Sequence, residues 1–366
     1  MFKKPLIFGI AGTSLTVQEK ELLSKNSIYG FILFKRNIVD REQLLKLVQD
    51  LRGLYDYNIL IFVDQEGGRV ARLKPPIIDI EYPPAGDFGR IYDQEGAENA
   101  YLKVFANYSS LMKSLKEYRI DSPCCPVADL RYPYTDNAIG DRSFGDSVVK
   151  VVGLCAKTIE AIEEQEGIAI IKHIPGHGRA TCDSHYKLPR VTSSLAELNN
   201  TDFEVFRQLS KNAKAGWAMT AHIVFEALDT TNLPVTLSPT AIKFIRNDIG
   251  FKGMLVSDDI CMLALHGEIG AKYSIVKKPL TIFEKQDSTT TISNQDLEKL
   301  IEYGIIKDKS DQTGLKKYLV EEFPKLKAEF VTSIVEVARQ TIVAGCDLVL
   351  HCSGDIQEMT AVCRAV

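Results

Sequence analysis

"IAIIKHIPGHGRATCDSH", residues 168–185, changes character halfway along. Ile168 to Ile174 is apolar and β-branched apart from Lys172 and His173, the composition of a strand buried on both faces. From Pro175 onward come two glycines, an arginine, an aspartate and two more histidines. Three of the six histidines of the chain therefore stand in one window, at the end of one expected strand. Whether such strand ends recur decides the fold.

They do recur. Apolar, β-branched runs are found at Leu6 to Gly12, Gly30 to Asn37, Ile59 to Glu66, Ser122 to Leu130, Trp217 to Val224, Gly253 to Ile260 and Asp347 to Ser353. Between them lie stretches such as "REQLLKLVQDLRGLY" and "SVVKVVGLCAKTIEAIEEQ", with apolar residues at three- and four-residue steps, the mark of amphipathic helices. Eight strands alternating with helices predict an α/β protein of the (β/α)8 TIM-barrel type. An open doubly wound sheet is the alternative, disfavoured because no G-x-G-x-x-G turn follows the first strand. Asp64, Asp129, Lys172, His173, His222 and Asp258 all fall at C-terminal strand ends, the face on which barrels build their sites. Polar groups placed for stability alone would scatter over both ends.

Composition sets the class. With 45% hydrophobic and 25% charged residues the chain reads as a soluble globular protein. A net charge of −4 leaves no nucleic-acid footprint and no large basic patch for anionic lipid. The eight cysteines are scattered without a C-x-x-C pair, which predicts free thiols in a reducing cytoplasm. "MFKKPLIFGIAG" has the lysines of a signal peptide, but Pro5 and Gly9 break its short apolar run, so a first strand is expected. No window approaches the roughly 20 apolar residues of a membrane span.

One domain over residues 1–366 is expected, interrupted after the seventh strand by a lysine-rich helical insertion over residues 271–328. Within it, "SNQDLEKLIEYG" reads as a helix capped by Ser293 and ended by Gly304, and "TGLKKYLVEEF" as another. Val366 falls inside the helix expected after the eighth strand, so part of that closing helix is expected to be missing.

Three readings of the histidine window compete. His173 and His177 have the H-x-x-x-H spacing of a zinc pair, but only a helix brings them to one face, and Pro175 and Gly176 lie between them. No glutamate occupies the H-E-x-x-H position, so no metal is expected. His177, flanked by glycines, is open to either a capping or a direct role. Asp183 and His185 are two apart; in an extended segment both point the same way, and a carboxylate then orients and tunes an imidazole. Gly176 and Gly178 lead to the expectation that the whole stretch from Gly176 to His185 moves when no ligand is bound.

"FVDQEGGRVARL" from Phe62, "AIGDRSF" from Ala138, "KHIPGHGRATCDSH" from Lys172 and "LVSDDICM" from Leu255 stand in this order on those strand ends. Together they resemble glycoside hydrolase family 3, most closely its single-domain bacterial β-N-acetylglucosaminidases of peptidoglycan recycling. The resemblance covers nearly the whole chain outside the insertion. It implies a retaining exo-β-N-acetylglucosaminidase without cofactor or metal, acting on N-acetylglucosaminyl muropeptides in the cytoplasm as a monomer, with neither nucleic acid nor membrane as partner. Asp258 matches the nucleophile, His185 the general acid/base and Asp183 its partner. Asp64, Arg72, Arg142, Lys172 and His173 match the residues that bind the terminal sugar. Asp259 is expected to face away, since consecutive strand residues point to opposite sides. Lys172 can equally serve an ion pair to a neighbouring strand. Cys261 departs from the family pattern, where a serine is frequent.

A histidine suits both halves of a retaining reaction. A carboxylate about 6 Å from an imidazolium stabilises it by roughly 3 kcal/mol at an effective dielectric near 20, or about 2 pKa units. Once the nucleophile becomes a neutral ester that support is gone, and the imidazole is the better base when water must be activated. Two other functions fit the same scaffold: a phosphorylase, and a muropeptide-binding sensor with a dead site. An intact Asp258, Asp183 and His185 argue against the sensor. A family β-glucosidase is disfavoured because many carry a second domain for which this length leaves no room.

Overall fold

The computed structural model describes residues 3–184, 187–212, 215–285 and 294–366. Within them seven parallel strands form one curled sheet. They are β1 (Lys4–Gly9), β2 (Ile28–Leu33), β3 (Leu60–Val63), β4 (Ile170–Ile174), β5 (Trp217–Thr220), β6 (Met254–Asp259) and β7 (Leu348–His351). The order is β3-β2-β1-β7-β6-β5-β4, so the first and last strands of the chain pair in the middle of the sheet. A doubly wound sheet reverses about its first strand differently; this is the cyclic order of a barrel interrupted between β3 and β4.

The interruption corrects the sequence reading. Ser122 to Leu130, expected as the fourth of eight strands, forms no regular strand. It lies between the two edges of the sheet, touching each through a single bridge, Ser122 to Phe62 and Val127 to Lys172. Pro123 and Pro126 have no N–H to donate, so the segment mostly accepts: Val63 N donates to Ser122 O (3.0 Å), Ile170 N to Cys125 O (2.9 Å) and Lys172 N to Pro126 O (3.1 Å). It still fills a strand's place. The inner apolar cluster takes Ile7, Ile32, Phe62, Ile170, Met219, Val256 and Leu348 from the seven strands, and Cys124 from this segment.

Strand residues of opposite parity face outward and pack under the helices, which is why the strands read as continuous apolar runs. Gly30 has a specific reason: a Cβ there would stand 2.7 Å from Cε2 of Phe62, whose ring crosses the interior towards Trp217 (5.8 Å).

Beyond β6 the chain runs through helices Gly267–Lys285, Asn294–Glu302, Gln312–Glu321 and Phe323–Ala344. The expected helix over Ser293 to Gly304 is present from Asn294; Ser293 itself lies outside the described residues. The expected "TGLKKYLVEEF" helix is Gln312–Glu321, capped by Asp311, whose side chain accepts from Gly314 N. Tyr273, Val276, Leu300 and Phe323 join the same core as the strands. All eight cysteines are unpaired. Among the described residues no helix is long and apolar enough to cross a membrane.

Candidate active site

The C-terminal strand ends open into a cavity of about 220 Å³. Asp64, Arg72, Arg142, Lys172, His173, Asp183 and Asp258, each singled out from sequence, all line it. So do Glu66, His177 and Asp259.

One wall is an ion-pair network. Lys172, at 2% exposure, projects from β4 to Oε1 of Glu66 (2.7 Å) and Oδ1 of Asp64 (3.4 Å). Arg142 grips the same Glu66 with two parallel bonds, Nε to Oε2 (2.7 Å) and Nη2 to Oε1 (2.8 Å), the strong geometry for a guanidinium. Arg72 donates to Oδ2 of Asp64 (2.9 Å). Burial alone would push both carboxyls up, yet the cations hold them down: Lys172 and Arg72 at Asp64, Arg142 and Lys172 at Glu66. Lys172 and Arg142 are in turn held above their ordinary values, against burial, with Glu66 the chief opposing charge. The wall keeps its charges. Lys172 thus makes the ion pair to a neighbouring strand that its sequence position allowed, and it also faces the cavity.

The second wall is the root of the histidine loop, organised on Asp129, which is fully buried. Its Oδ1 accepts from the backbone N–H groups of His173 (3.2 Å) and His177 (2.6 Å), and Oδ2 meets Nδ1 of His173 at 2.7 Å. These bonds and the histidine charge outweigh burial and keep Asp129 ionised. With Nδ1–H committed to Asp129, Nε2 of His173 points across the cavity, 4.0 Å from Oδ2 of Asp258. His177 packs edge-on against His173 (5.4 Å), and its Nε2 lies 3.2 Å from Oγ of Ser184. Burial first, and the His173 charge second, lower its pKa to about 4.

The glycines of this loop do not confer the freedom that the sequence suggested from Gly176 onward. Residues 176–180 are buried. A Cβ on Gly178 would stand 1.9 Å from the backbone oxygen of Leu130, so only glycine passes there. Arg179 pins the turn with bonds to Asp202 (2.7 Å), Glu197 (2.5 Å) and Ser193 (3.0 Å). The burial ends at Thr181. Asp183 lies on the cavity beyond it; His185 lies outside the described residues.

β6 delivers the two aspartates differently. The Asp258 side chain keeps 22% exposure and its Oδ1 accepts from Asp259 N (2.7 Å). Asp259 also borders the cavity, contrary to the strict alternation expected, because it sits where the strand gives way to a turn. Its Oδ1 is nonetheless occupied by Cys261 N and Cys352 N, both at 3.0 Å. His222, grouped with the strand-end polars from sequence, is not on the cavity: its Nε2 donates to the Asp259 carbonyl (3.0 Å) and its Nδ1 faces Thr236 (2.7 Å).

Sequence reasoning named no role for Glu66, the residue that joins Lys172 to Arg142. Its partners are remote in the chain, so nothing local pointed to it beyond its place in "VDQEGGRV". Asp129 was seen as a strand-end polar, but its hold on both histidine amides was not.

The family model for the glycosyl hydrolase family 3 N terminal domain matches residues 9–306. A β-hexosaminidase from Neisseria gonorrhoeae is 34% identical over 307 residues, covering 80% of this chain and 83% of that protein. One from Alkalilimnicola ehrlichii is 35% identical over 266 residues, covering 72% and 74%. Among solved structures, NagZ from Neisseria gonorrhoeae in complex with N-trifluoroacetyl-D-glucosamine aligns with a TM-score of 0.74 at 28% identity, over 98% of this chain and 84% of that one.

Proposed function

The chain belongs to glycosyl hydrolase family 3 and is a β-hexosaminidase of that family; from that premise we propose that it is a retaining exo-β-N-acetylglucosaminidase that removes the non-reducing-end sugar from peptidoglycan fragments. One observation carries the reading. Asp258, Asp183 and the charged set Asp64, Arg72, Arg142, Lys172 and His173 line a single cavity, although they come from four separate stretches of the chain. The relative bound to N-trifluoroacetyl-D-glucosamine supports an N-acylated amino sugar as occupant.

In this reading the ion-paired wall binds the sugar hydroxyls with donors and acceptors that are already fixed, and rejects ligands that leave them unpaired. Asp258 attacks the anomeric carbon and forms a glycosyl ester as the leaving oxygen takes a proton from His185. Asp183 holds that imidazole in the productive tautomer. Water, deprotonated by His185, then releases the sugar with retained configuration. No cofactor or metal enters these steps. The enzyme acts as a single-domain monomer in the cytoplasm, with residues 271–328 as a helical insertion beside the nucleophile strand. The free thiols agree with that compartment.

The test is hydrolysis of an aryl N-acetyl-β-glucosaminide beside the matching β-glucoside, with and without phosphate. The N-acetylated substrate is expected to turn over at least tenfold faster, with phosphate making no difference to the product. Sugar 1-phosphate as the product would establish a phosphorylase and overturn the hydrolase.

A further inference from the structure

A second cluster of reactive side chains lies outside the catalytic cavity. Among the described residues, Cys261, His351 and Glu358 bring one donor atom each to within 4.8 Å of the others. They come from three elements: the turn after β6, the end of β7, and helix Ile356–Ala365. His351 and Glu358 are fully buried.

His351 is the anomaly. Nε2 stands 3.2 Å from Oε2 of Glu358 but is not aligned for a hydrogen bond, and neither ring nitrogen has a hydrogen-bond partner among the described residues. Its ring packs edge-on against Phe8 at 5.5 Å, on the outer face of the sheet. Buried polar groups are nearly always satisfied, so a histidine left in this state calls for a partner. The same Oε2 of Glu358 accepts from Sγ of Cys261 (4.0 Å) and from Oγ of Ser353, so that oxygen is satisfied while both ring nitrogens of His351 are still left without a hydrogen bond among the described residues.

We propose that Cys261, His351 and Glu358 form a binding site for a divalent transition metal of the zinc class. Thiolate, imidazole and carboxylate together suit a borderline-soft ion and not magnesium or calcium, which take oxygen ligands. An ion bonded at about 2.0–2.3 Å bridges donors up to about 4 Å apart, so the cluster closes with a movement of about an ångström at most. The charges also balance: one thiolate and one carboxylate neutralise a dication in a setting that tolerates no net charge. Burial pushes the Cys261 thiol well up, so binding exchanges its S–H bond for a sulfur–metal bond and releases the proton to solvent. The ion would fasten the turn that follows Asp258 to the last strand and the last helix. It is not the pair that the H-x-x-x-H spacing suggested, and it does not depend on the hexosaminidase reading.

The experiment uses the full chain, loaded with Zn²⁺ or Co²⁺ and dialysed, with bound metal measured by mass spectrometry and cobalt ligation by absorption. About one ion per chain is expected, with a thiolate-to-cobalt charge-transfer band in the near ultraviolet. Cys261→Ser should abolish the band and weaken retention at least tenfold. Cys182→Ser, changing the half-buried thiol of the histidine loop, should leave both intact. Glu358→Gln should weaken retention and keep the thiolate band at saturating cobalt. No retained metal, no thiolate band in the wild-type chain, or a band lost with Cys182→Ser and kept with Cys261→Ser would each overturn the site. Should Cys261→Ser fail to fold, the wild-type cobalt spectrum decides alone, because without a thiolate band the proposal falls.

Discussion

The two walls of the cavity hold charge in opposite ways. On one, Asp64, Glu66, Arg72, Arg142 and Lys172 are interlocked, each carboxyl held low by cations, with Lys172 and Arg142 held high by carboxylates. The shifts of Asp64, Glu66, Arg142 and Lys172 all favour the charged form. On the other, a single ionised carboxylate, Asp129, holds the imidazole of His173 and the backbone amides of His173 and His177, and the His177 imidazole is kept neutral with a pKa of about 4. The contrast separates two tasks. In the proposed reaction the first wall offers the sugar charges that are already fixed, while the second adds His173 to that binding set and roots the loop that carries Asp183 and His185, where the proton is handled.

Breaking the chemistry while sparing both walls gives the largest expected effect. Asp258→Ala should reduce turnover by on the order of 10⁴-fold or more, since no covalent intermediate can form, while calorimetric binding of N-acetylglucosamine persists. Asp259→Asn retains the oxygen that accepts from Cys261 N and Cys352 N and should cost less than about tenfold. A reversed ranking would show that the nucleophile is Asp259.

The charged wall is tested at its centre. Glu66→Gln leaves Lys172 and Arg142 facing each other in a buried site with Asp64, and at Arg142 also Asp129, to offset them. Losing one partner of a buried ion pair costs roughly 3–5 kcal/mol, so denaturant midpoints should fall and KM for the aryl substrate should rise far more than kcat falls. A fall in kcat at unchanged KM would mean that the wall serves the chemical step and that the division of tasks is wrong.

How much of this was legible in the chain differs for fold and site. Seven strands announced themselves because burial on both faces demands unbroken apolar runs, and burial is a property a sequence displays. The fourth was misread because apolar content was weighed and the donors were not: Pro123 and Pro126 stood in plain view. Strand-end polarity placed the site on one face, and family resemblance assigned roles to Asp258 and the sugar-binding set. Glu66 escaped because its meaning lies in Arg142 and Lys172, distant residues that only the fold brings to it. Gly176 and Gly178 misled for another reason. A glycine signals either freedom or a close approach, and the neighbour that decides, Leu130 for Gly178, is also far away in the chain.

The histidine wall yields the smallest but most diagnostic effect, in stability and its dependence on pH. His177 has an ordinary pKa of 6.5 when unfolded and about 4 when folded, because burial and the nearby His173 charge disfavour the imidazolium. Above pH 6.5 neither state carries the proton and the residue makes no pH-dependent contribution. As pH falls from 6.5 towards 4, the unfolded chain takes up a proton that the folded chain refuses, so stability declines, by about 3 kcal/mol at most. His177→Asn removes the titrating group at a similar size, and chemical denaturation between pH 7 and 4 should then show a shallower loss than the wild type. The binding wall makes the opposite prediction over the same interval, since its charges are fixed: affinity for N-acetylglucosamine should hold nearly level while stability drops. Parallel declines in affinity and stability, abolished together by His177→Asn, would mean that the two walls are coupled through Asp129 and His173, and that the cavity works as one titrating unit.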